Sequence, residues 1–360
     1  MNNSVTSNDD EFQQSGNSPS ILQTKNTLSD KFYRLFVGSI VAITLLFLFN
    51  VYLTYWLKWP SMLEYLSQLQ WFGLEPPRKS LSEEAMQLGW WQTLSYIASI
   101  MAVASFVALT PNRGLRLDAQ TLAGFARYII RASFWAVLLV GFADMVVSFL
   151  RVEDMLHYFF DDETRKALGR PADRSLMLHY PLIAVGLVIG AFTRSLGFTW
   201  LALLVVFAEL QIVILRFIFS YEQAFMGDLV RFWYAALFLF ASSHTLVSDG
   251  HVRVDVLYAG FSKRAKAWSN TAGLLLLGLP LCWIILTMGM WGKGHSINSP
   301  LISFEISQSG YGLYIKYMMV GYLVIFSLSM MVQFCSYLLN NIADLRREPE
   351  LENPVPVPAH

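Results

Sequence analysis

Charged side chains are scarce in this chain of 360 residues. Asp, Glu, Lys and Arg together make up 14% of it, whereas soluble domains contain about 25%. The 26 basic and 26 acidic residues cancel, so the chain has no net field that would attract a nucleic acid. With 55% hydrophobic and 15% aromatic residues, the composition excludes an ordinary soluble domain and favours a membrane protein.

Cysteine is nearly absent, and short catalytic motifs are missing. Cys282 and Cys335 both lie in apolar segments, which excludes a disulfide scaffold and a CxxC metal site. We expect two buried thiols that pack as small apolar side chains. The sequence has no Walker loop and no GxSxG motif, so nothing indicates ATP binding or acyl transfer. We therefore expect no enzyme activity and no cofactor.

Long apolar segments, in contrast, recur along the chain. A helix that crosses a bilayer needs about 20 predominantly apolar residues. The segments that meet this requirement are 36–56, 90–110, 128–150, 177–193, 198–219, 229–247, 271–291 and 313–339. The predicted fold class is an all-α, polytopic membrane helix bundle of about eight transmembrane helices, with short interfacial helices.

Both ends of the chain are polar. Residues 1–30 are aperiodic and are expected to be a disordered N-terminus, and the Pro-rich residues 348–360 are expected to be a flexible tail. The first apolar segment is longer than the apolar core of a signal peptide, and no small-residue cleavage site follows it. Cleavage of a signal peptide is therefore not expected.

The basic residues predict the orientation in the membrane. Eight spans place both termini on one side, and the segments on that side carry more Lys and Arg than those on the other. Because cytoplasmic loops carry an excess of these residues, we expect both termini in the cytoplasm. Several Trp residues between Trp56 and Trp91 then form an aromatic belt at the outer surface. Between them, SMLEYLSQLQWF is expected to lie on the membrane as a short helix.

The charged residues within predicted spans include Asp144, Glu209 and Arg216. An ionised group at mid-bilayer costs about 2.5–3.5 kcal/mol, so each is expected to face protein or water. The segments FADMVVSFLR (142–151) and FAELQIVILR (207–216) align without gaps, either as parts of a repeat or by chance. For Asp144 and Glu209, pairing between helices is favoured over binding of a coupling ion.

Histidines and acidic clusters give little sign of a metal or a haem. His179 and His244 lie in or beside spans, but they are single, and a bis-imidazole haem needs facing pairs. The acidic run FFDDE is explained by Asp161 or Asp162 capping a short helix that ends at Gly169. The sequence therefore predicts no metal site.

The polar segment SDGHVRVDVLY (248–258) separates the sixth and seventh spans. Apolar residues recur at helical spacing from its end to Trp268, which indicates an amphipathic segment at the inner membrane surface. A generic basic loop is the alternative. Because a carboxylate beside the membrane needs a partner, we expect Asp255 to pair with His251 if the segment is helical, or with Arg253 if it is extended.

The C-terminal part of the chain resembles a known family. From about Leu201 to Arg347 it is similar to the small permease subunit, of the DctQ type, of tripartite ATP-independent periplasmic (TRAP) transporters. Three elements carry the resemblance: Arg216 with the aromatic and apolar residues after it, FMGDL at 225–229, and HVRVDVL at 251–257. The spacing between the first and third elements fits the family pattern without gaps.

The second element departs from the family pattern Trp-x-Glu-Glu-Leu. Phe225 replaces the Trp, Gly227 replaces the first Glu, and Asp228 replaces the second Glu with a shorter acid. These differences weaken the inference that the element has the same role here as in the family. The resemblance implies a four-span membrane domain over residues 197–347. Residues 31–196 form a four-span N-terminal extension that has no counterpart in the ordinary small subunit.

The resemblance implies a scaffold rather than a carrier. A large permease subunit would bind the substrate, often a carboxylate, together with sodium ions, and a periplasmic protein would deliver the substrate. The location would be the bacterial inner membrane, in contact with lipids and without nucleic acid. The residues with motif or structural roles are Arg216, Asp228, His251, Arg253 and Asp255. We expect Arg216 to pair with Asp228 or, second, with Glu222.

Two alternative functions stay open at this stage. A self-sufficient secondary carrier would use Asp144, Glu209 and Arg216 along a polar pathway. A membrane redox subunit would use His179 and His244. Spans that Gly or Pro interrupts in matched halves of a chain usually indicate a substrate site at the bilayer midplane. The spans of this chain lack such matched interruptions. This favours the scaffold.

Overall fold

The computed structural model describes residues 27–77, 79–194, 198–220, 224–247, 258–307 and 312–349. Within these ranges the protein is helical and contains no β-strand. Its α-helices are α1 (Leu28–Tyr55), α2 (Met62–Gln68), α3 (Glu83–Leu109), α4 (Leu115–Val152), α5 (Asp162–Leu168), α6 (Pro171–Arg174), α7 (Tyr180–Phe192), α8 (Phe198–Ile218), α9 (Ala224–Val247), α10 (Lys263–Gly273), α11 (Leu279–Met290), α12 (Asn298–Ser303) and α13 (Lys316–Leu345). Short 3₁₀ segments occur at Trp71–Gly73, Leu156–Tyr158 and Tyr258–Gly260, and π-helical segments at Ser175–His179 and Leu274–Gly278.

Eight helical segments among the described residues are long and apolar enough to cross a membrane, which confirms the predicted number of spans. They are Leu28–Tyr55, Glu83–Leu109, Leu115–Val152, Pro171–Phe192, Thr199–Ile218, Phe225–Ser242, Lys263–Met290 and Lys316–Leu345. Most of the predicted N-terminal and C-terminal tails, residues 1–26 and 350–360, lie outside the described residues.

Two of these helices begin well before the predicted spans. The third span starts at Leu115 rather than near Tyr128, because its first turns contain no proline and bury Leu115 and Ala119 against the core. The seventh starts at Lys263, where the Ser262 side chain accepts a hydrogen bond from a backbone N–H of the first turn. The basic segment before the seventh span is thus the beginning of that helix and not a separate surface helix.

Both π-helical segments end two residues before a proline. Ser175–His179 precedes Pro181, and Leu274–Gly278 precedes Pro280. A proline inside a helix has no N–H, and its ring clashes with the carbonyl four residues earlier. In both spans that carbonyl belongs to the π-helical segment, whose wider turn accommodates the ring. The two prolines therefore widen their helices without breaking them.

Helix α13 lies at the centre of the bundle. It packs against α4, α9, α10, α11 and α1. One apolar core is formed by α1, α11, α13 and the first half of α4, and a second by α8, α9, the second half of α4 and the start of α13. Since α4 and α13 contribute to both cores, the N-terminal and C-terminal spans form one bundle.

Helices α4 and α7 approach each other closely at two glycines. A Cβ atom added at Gly186 would lie 2.5 Å from the backbone N of Ala136, and one at Gly190 would lie 2.5 Å from the Cα of Ala132. The two glycines and the two alanines are each four residues apart, so small residues line one face of each helix. Such small-residue faces let membrane helices pack backbone against backbone.

Two short helices outside the spans follow the sequence prediction. Helix α2 begins with a capping box in which Ser61 and Glu64 bond each other's backbone N–H. In α5, the Asp161 carboxylate accepts from the backbone N–H groups of Glu163 and Thr164. Hydrogen bonds from the Thr164 hydroxyl and N–H lower the pKa of Asp161 below its ordinary value. Of the two predicted caps, Asp161 or Asp162, the structure has Asp161.

The start of α1 and the end of α13 meet on one side of the bundle. The Arg346 guanidinium lies 2.6 Å from the Asp30 carboxylate and donates to the Thr27 hydroxyl at 2.6 Å. This contact agrees with an even number of spans between the two ends.

Candidate functional site

Five polar side chains form a fully buried cluster between α4, α13 and the segment from α6 to α7. They are Asp144, Ser148, Arg174, Ser175 and His179, and each has 0% of its surface exposed. Asp144 lies in α4, Arg174 ends α6, and Ser175 and His179 bound the π-helical segment that follows. The π-helical turn places Ser175 and His179 on the side of the helix that faces Asp144.

Asp144 is the centre of this cluster. Its Oδ1 lies 2.6 Å from Arg174 Nε and 3.0 Å from His179 Nε2. Its Oδ2 accepts a hydrogen bond of 3.0 Å from the backbone N–H of Tyr314, just before α13. A buried carboxylate costs several kcal/mol unless a countercharge and hydrogen bonds offset its desolvation. Two separate segments, the helix Pro171–Phe192 and the chain just before α13, provide these contacts.

Arg174 ties the cluster together. Its Nη2 donates at 3.0 Å both to the Asp144 carbonyl and to the Ser148 hydroxyl. Its guanidinium lies 4.8 Å from the centre of the Tyr314 ring, and that of Arg151 lies 4.5 Å from the same ring. Such cation–π contacts are strongest where water is excluded. Arg151 also donates to the Gly312 carbonyl at 3.0 Å, so the chain before α13 is held by two arginines.

His179 links the carboxylate to α13. Its Nε2 faces Asp144, and its Nδ1 lies 3.0 Å from the Tyr317 hydroxyl. The carboxylate can only accept, so we assign the proton to Nε2 in the neutral ring; Nδ1 then accepts from Tyr317. Ser175 donates to the Pro171 carbonyl at 2.7 Å. The histidine is thus held in one tautomer by both of its neighbours.

A second polar network joins the same halves at the opposite end of the bundle. Asp118 pairs with Arg34 at 2.6 Å and also with Arg113. Arg116 lies 2.6 Å from Asp344, and its guanidinium reaches the Glu348 carbonyl. The start of α4 is therefore fixed to α1 on one side and to the end of α13 on the other.

The two predicted intramembrane acids have opposite environments. Asp144 is fully buried, whereas Glu209 is exposed on α8. Arg151 and Arg216, which occupy matching places in the two aligned segments, also have different surroundings, because Arg151 lies over the Tyr314 ring and Arg216 is exposed. Similar sequences thus place one acid inside the bundle and the other on its surface.

The remaining predicted site residues lie elsewhere. The Asp228 carboxylate is 3.6 Å from Arg231 Nη1, accepts from the Leu313 N–H at 3.3 Å, and lies 3.4 Å from the Ser307 hydroxyl. Pairing of Arg216 with Asp228 stays a prediction. Glu222, His251, Arg253 and Asp255 lie outside the described residues.

The structure brings in one residue that the sequence assigned to a loop. Arg174 precedes the predicted fourth span at 177–193, which places it in a loop on the outer side, but it ends α6 and is fully buried beside Asp144. A signal was present in the sequence: Arg174, Ser175 and His179 precede Pro181, and a proline often marks a widened turn that presents polar groups inward. No sequence feature indicated the partners at Tyr314 and Tyr317.

The described residues contain no group of three His, Cys, Asp or Glu side chains that could hold a metal ion. Cys282 and Cys335 are both free and buried, as predicted. Asp144, Arg174 and His179 direct their polar atoms at one another and at α13. This arrangement can join helices; it presents no open group to a substrate.

A family comparison agrees with this architecture. Residues 202–347 match the family model of the tripartite ATP-independent periplasmic transporters, DctQ component. The chain carries a DctQ-type domain. No curated protein and no solved structure gives a match. The DctQ-type domain extends from α8 to the end of α13, so Asp144, Arg174 and His179 belong to the N-terminal spans and their partners Tyr314 and Tyr317 to the DctQ-type domain.

Proposed function

We propose that this protein is the small scaffold subunit of a TRAP-type secondary transporter in the bacterial inner membrane. It would work with a large permease subunit, which moves small organic acids with a sodium gradient, and with a periplasmic substrate-binding protein. The observation that carries the proposal is the DctQ-type domain at residues 202–347. Family resemblance supplies the substrate class, the coupling ion and the partners.

The contacts of the buried charges within the protein support a scaffold rather than a carrier. A self-sufficient carrier needs an ionisable group that a substrate or an ion can reach. Asp144 is instead enclosed by Arg174, His179 and the Tyr314 N–H. In the proposed subunit these contacts hold the N-terminal spans against the DctQ-type domain, so that the large subunit moves against a rigid body.

An unbalanced cluster of arginines supports the orientation predicted from the sequence, with both termini in the cytoplasm. Arg127 and Arg131 lie one turn apart on α4, and Arg131 is within electrostatic reach of Arg194 after α7. Arg131 donates to the Gly190 carbonyl at 3.3 Å, and none of the three has an acidic partner among the described residues. The cluster lies toward the end of the bundle at which the termini meet, and an excess of cations is typical of the cytoplasmic side.

The exposed face of α8 is the proposed contact with the large subunit. Glu209 lies there among the exposed side chains of Val206, Phe207, Leu210 and Val213. A carboxylate facing lipid costs about 2.5–3.5 kcal/mol on insertion scales, and a polar or basic group of a partner helix would offset this cost. The apolar residues around it provide the packing surface.

Reconstitution tests the proposal directly. The chain would be co-expressed with the large permease subunit of the same organism, purified through a tag on the chain, and placed in liposomes with the binding protein outside. We expect the large subunit to co-purify, and uptake of a carboxylate to require both subunits, the binding protein and a sodium gradient. Uptake by the chain alone would show a self-sufficient carrier, and a haem absorption band would show a redox subunit. Either result would replace the proposal.

A further inference from the structure

A cavity of about 420 Å³ lies between α1, α3 and α11, below the short helix α2. Its volume falls in the range of about 300–1,000 Å³ that is typical of small-molecule sites. Phe47, Trp283 and Trp291 form an apolar wall, and Asn50, Thr54 and Gln92 contribute polar groups. The cavity belongs mainly to the N-terminal spans and is separate from the Asp144 cluster.

Among the described residues, the amide of Asn50 has no hydrogen-bond partner in good geometry. The residue is 5% exposed, and neither its Nδ2 nor its Oδ1 meets the geometry of a hydrogen bond, although the Tyr96 hydroxyl lies close enough to interact with the amide. Gln92 is 2% exposed and donates to the Thr54 hydroxyl at 3.2 Å. An amide left unpaired in an apolar environment costs several kcal/mol. A molecule that enters the cavity and accepts from Asn50 would remove this cost.

The depth of Asn50 indicates where such a molecule comes from. Asn50 lies five residues before Tyr55, the last residue of α1, which corresponds to about 7–8 Å along the helix. Tyr55 donates to the Trp291 carbonyl at 2.6 Å, and such aromatic residues mark the membrane–water boundary. The interfacial layer of a bilayer is about 5–8 Å thick on each side. The amide thus lies near the inner limit of this layer, where the glycerol esters of lipids are found.

A carboxylate lies at the other end of the cavity. Glu64 is in α2, and its Oε2 accepts from the Ser61 N–H at 2.8 Å. This bond fixes the carboxylate beside the cavity. A carboxylate there repels an anionic lipid head group and attracts an ammonium group.

We propose that this cavity binds the glycerol-ester segment of a diacyl phospholipid with an ammonium head group. An ester carbonyl accepts from Asn50 Nδ2, the upper part of an acyl chain packs against Phe47 and Trp283, and the ammonium group lies beside Glu64. A bound lipid would join α1 and α3 to α11, so it would act as a structural ligand between the N-terminal spans and the DctQ-type domain.

The experiment compares lipid binding in the full-length chain and in two variants. Asn50→Leu keeps the size of the side chain and removes the amide; Gln87→Leu removes an exposed amide of α3 that does not line the cavity and is the matched control. The midpoint of thermal unfolding in detergent is measured against the concentration of added phosphatidylethanolamine or of phosphatidylglycerol with the same acyl chains. A ligand of the folded state raises this midpoint by mass action.

We expect phosphatidylethanolamine to stabilise the wild-type chain and the Gln87→Leu variant equally. The Asn50→Leu variant should need about tenfold more lipid for the same shift, as the loss of a hydrogen bond of about 1.5 kcal/mol predicts. Without lipid this variant should be at least as stable as the wild type, because the substitution removes an unpaired amide. Its unfolding midpoint without lipid therefore shows whether the variant folds. Equal lipid dependence in the wild type and Asn50→Leu, no shift in the wild type, or an equal response to phosphatidylglycerol would overturn the proposal.

Discussion

Asp144 and Glu209 occupy the same position in two similar apolar segments, yet their surroundings are opposite. Asp144 in α4 is buried against Arg174 at the end of α6 and against the chain just before α13, whereas Glu209 is exposed on α8. The difference teaches that a charge in a span can serve two purposes. In the N-terminal spans it fixes the chain to its own DctQ-type domain, and in that domain we propose that it pairs with the large subunit.

The largest effect is expected from Asp144→Ala. The substitution leaves the Arg174 guanidinium buried without its countercharge, which costs about 3–5 kcal/mol. Thermal unfolding of the isolated chain in detergent would measure the loss. Because a double replacement by apolar residues of similar size removes both charges, Asp144→Leu with Arg174→Met should recover a large part of it. If the loss of stability in the double variant equals the sum of the losses in the two single variants, the ion pair between Asp144 and Arg174 does not stabilise the cluster.

The glycine contacts between α4 and α7 give the next effect. Gly190→Ala would place a Cβ 2.5 Å from the Cα of Ala132, and we expect a loss of about 1–3 kcal/mol from overpacking. Gly321→Ala in α13 is the matched control, because no atom lies within 4 Å of its added Cβ. The control should be neutral or slightly more stable, since alanine favours a helix by about 0.5–1 kcal/mol over glycine. Equal effects of both substitutions would show that α4 and α7 are not in close contact.

Glu209→Leu should lower assembly with the large subunit without lowering the stability of the isolated chain, in contrast to Asp144→Ala. Its side chain is exposed, so the stability of the isolated chain should be unchanged or higher. The amount of large subunit that co-purifies should fall, because a group that pairs with the partner has been removed. Phe192→Leu, at an exposed apolar position near the end of α7, serves as the control. Unchanged co-purification with Glu209→Leu would remove α8 as the contact surface.

The smallest effect is expected at Asp161, outside the spans. Its pKa is lowered by hydrogen bonds from Thr164, so the charged form stabilises α5 at neutral pH. This contribution is present above the ordinary carboxyl pKa and is lost as the pH falls through the lowered value. Asp161→Ala should therefore increase proteolytic cleavage of α5 at pH 7 and make no difference in strong acid. A difference that is equal at both pH values would exclude the cap as its cause.

The spans and the short helices could be predicted from the sequence because they depend on local properties. Apolar length predicted the eight spans, an apolar face predicted α2, and a capping aspartate predicted α5. The Asp144 cluster could not be predicted, because its members come from segments that are 30 and 170 residues apart in the chain. Arg174 was expected in a loop because hydropathy alone cannot show that a charged residue ends a helix inside the bundle.

The most direct test of the account measures uptake by the reconstituted transporter with Asp144→Asn. The substitution removes the charge of a residue that we propose stabilises the scaffold and contacts neither substrate nor ion. We predict fewer assembled complexes, with uptake per complex equal to that of the wild type. Normal assembly with uptake abolished would place Asp144 in the transport pathway and contradict the scaffold function of the N-terminal spans.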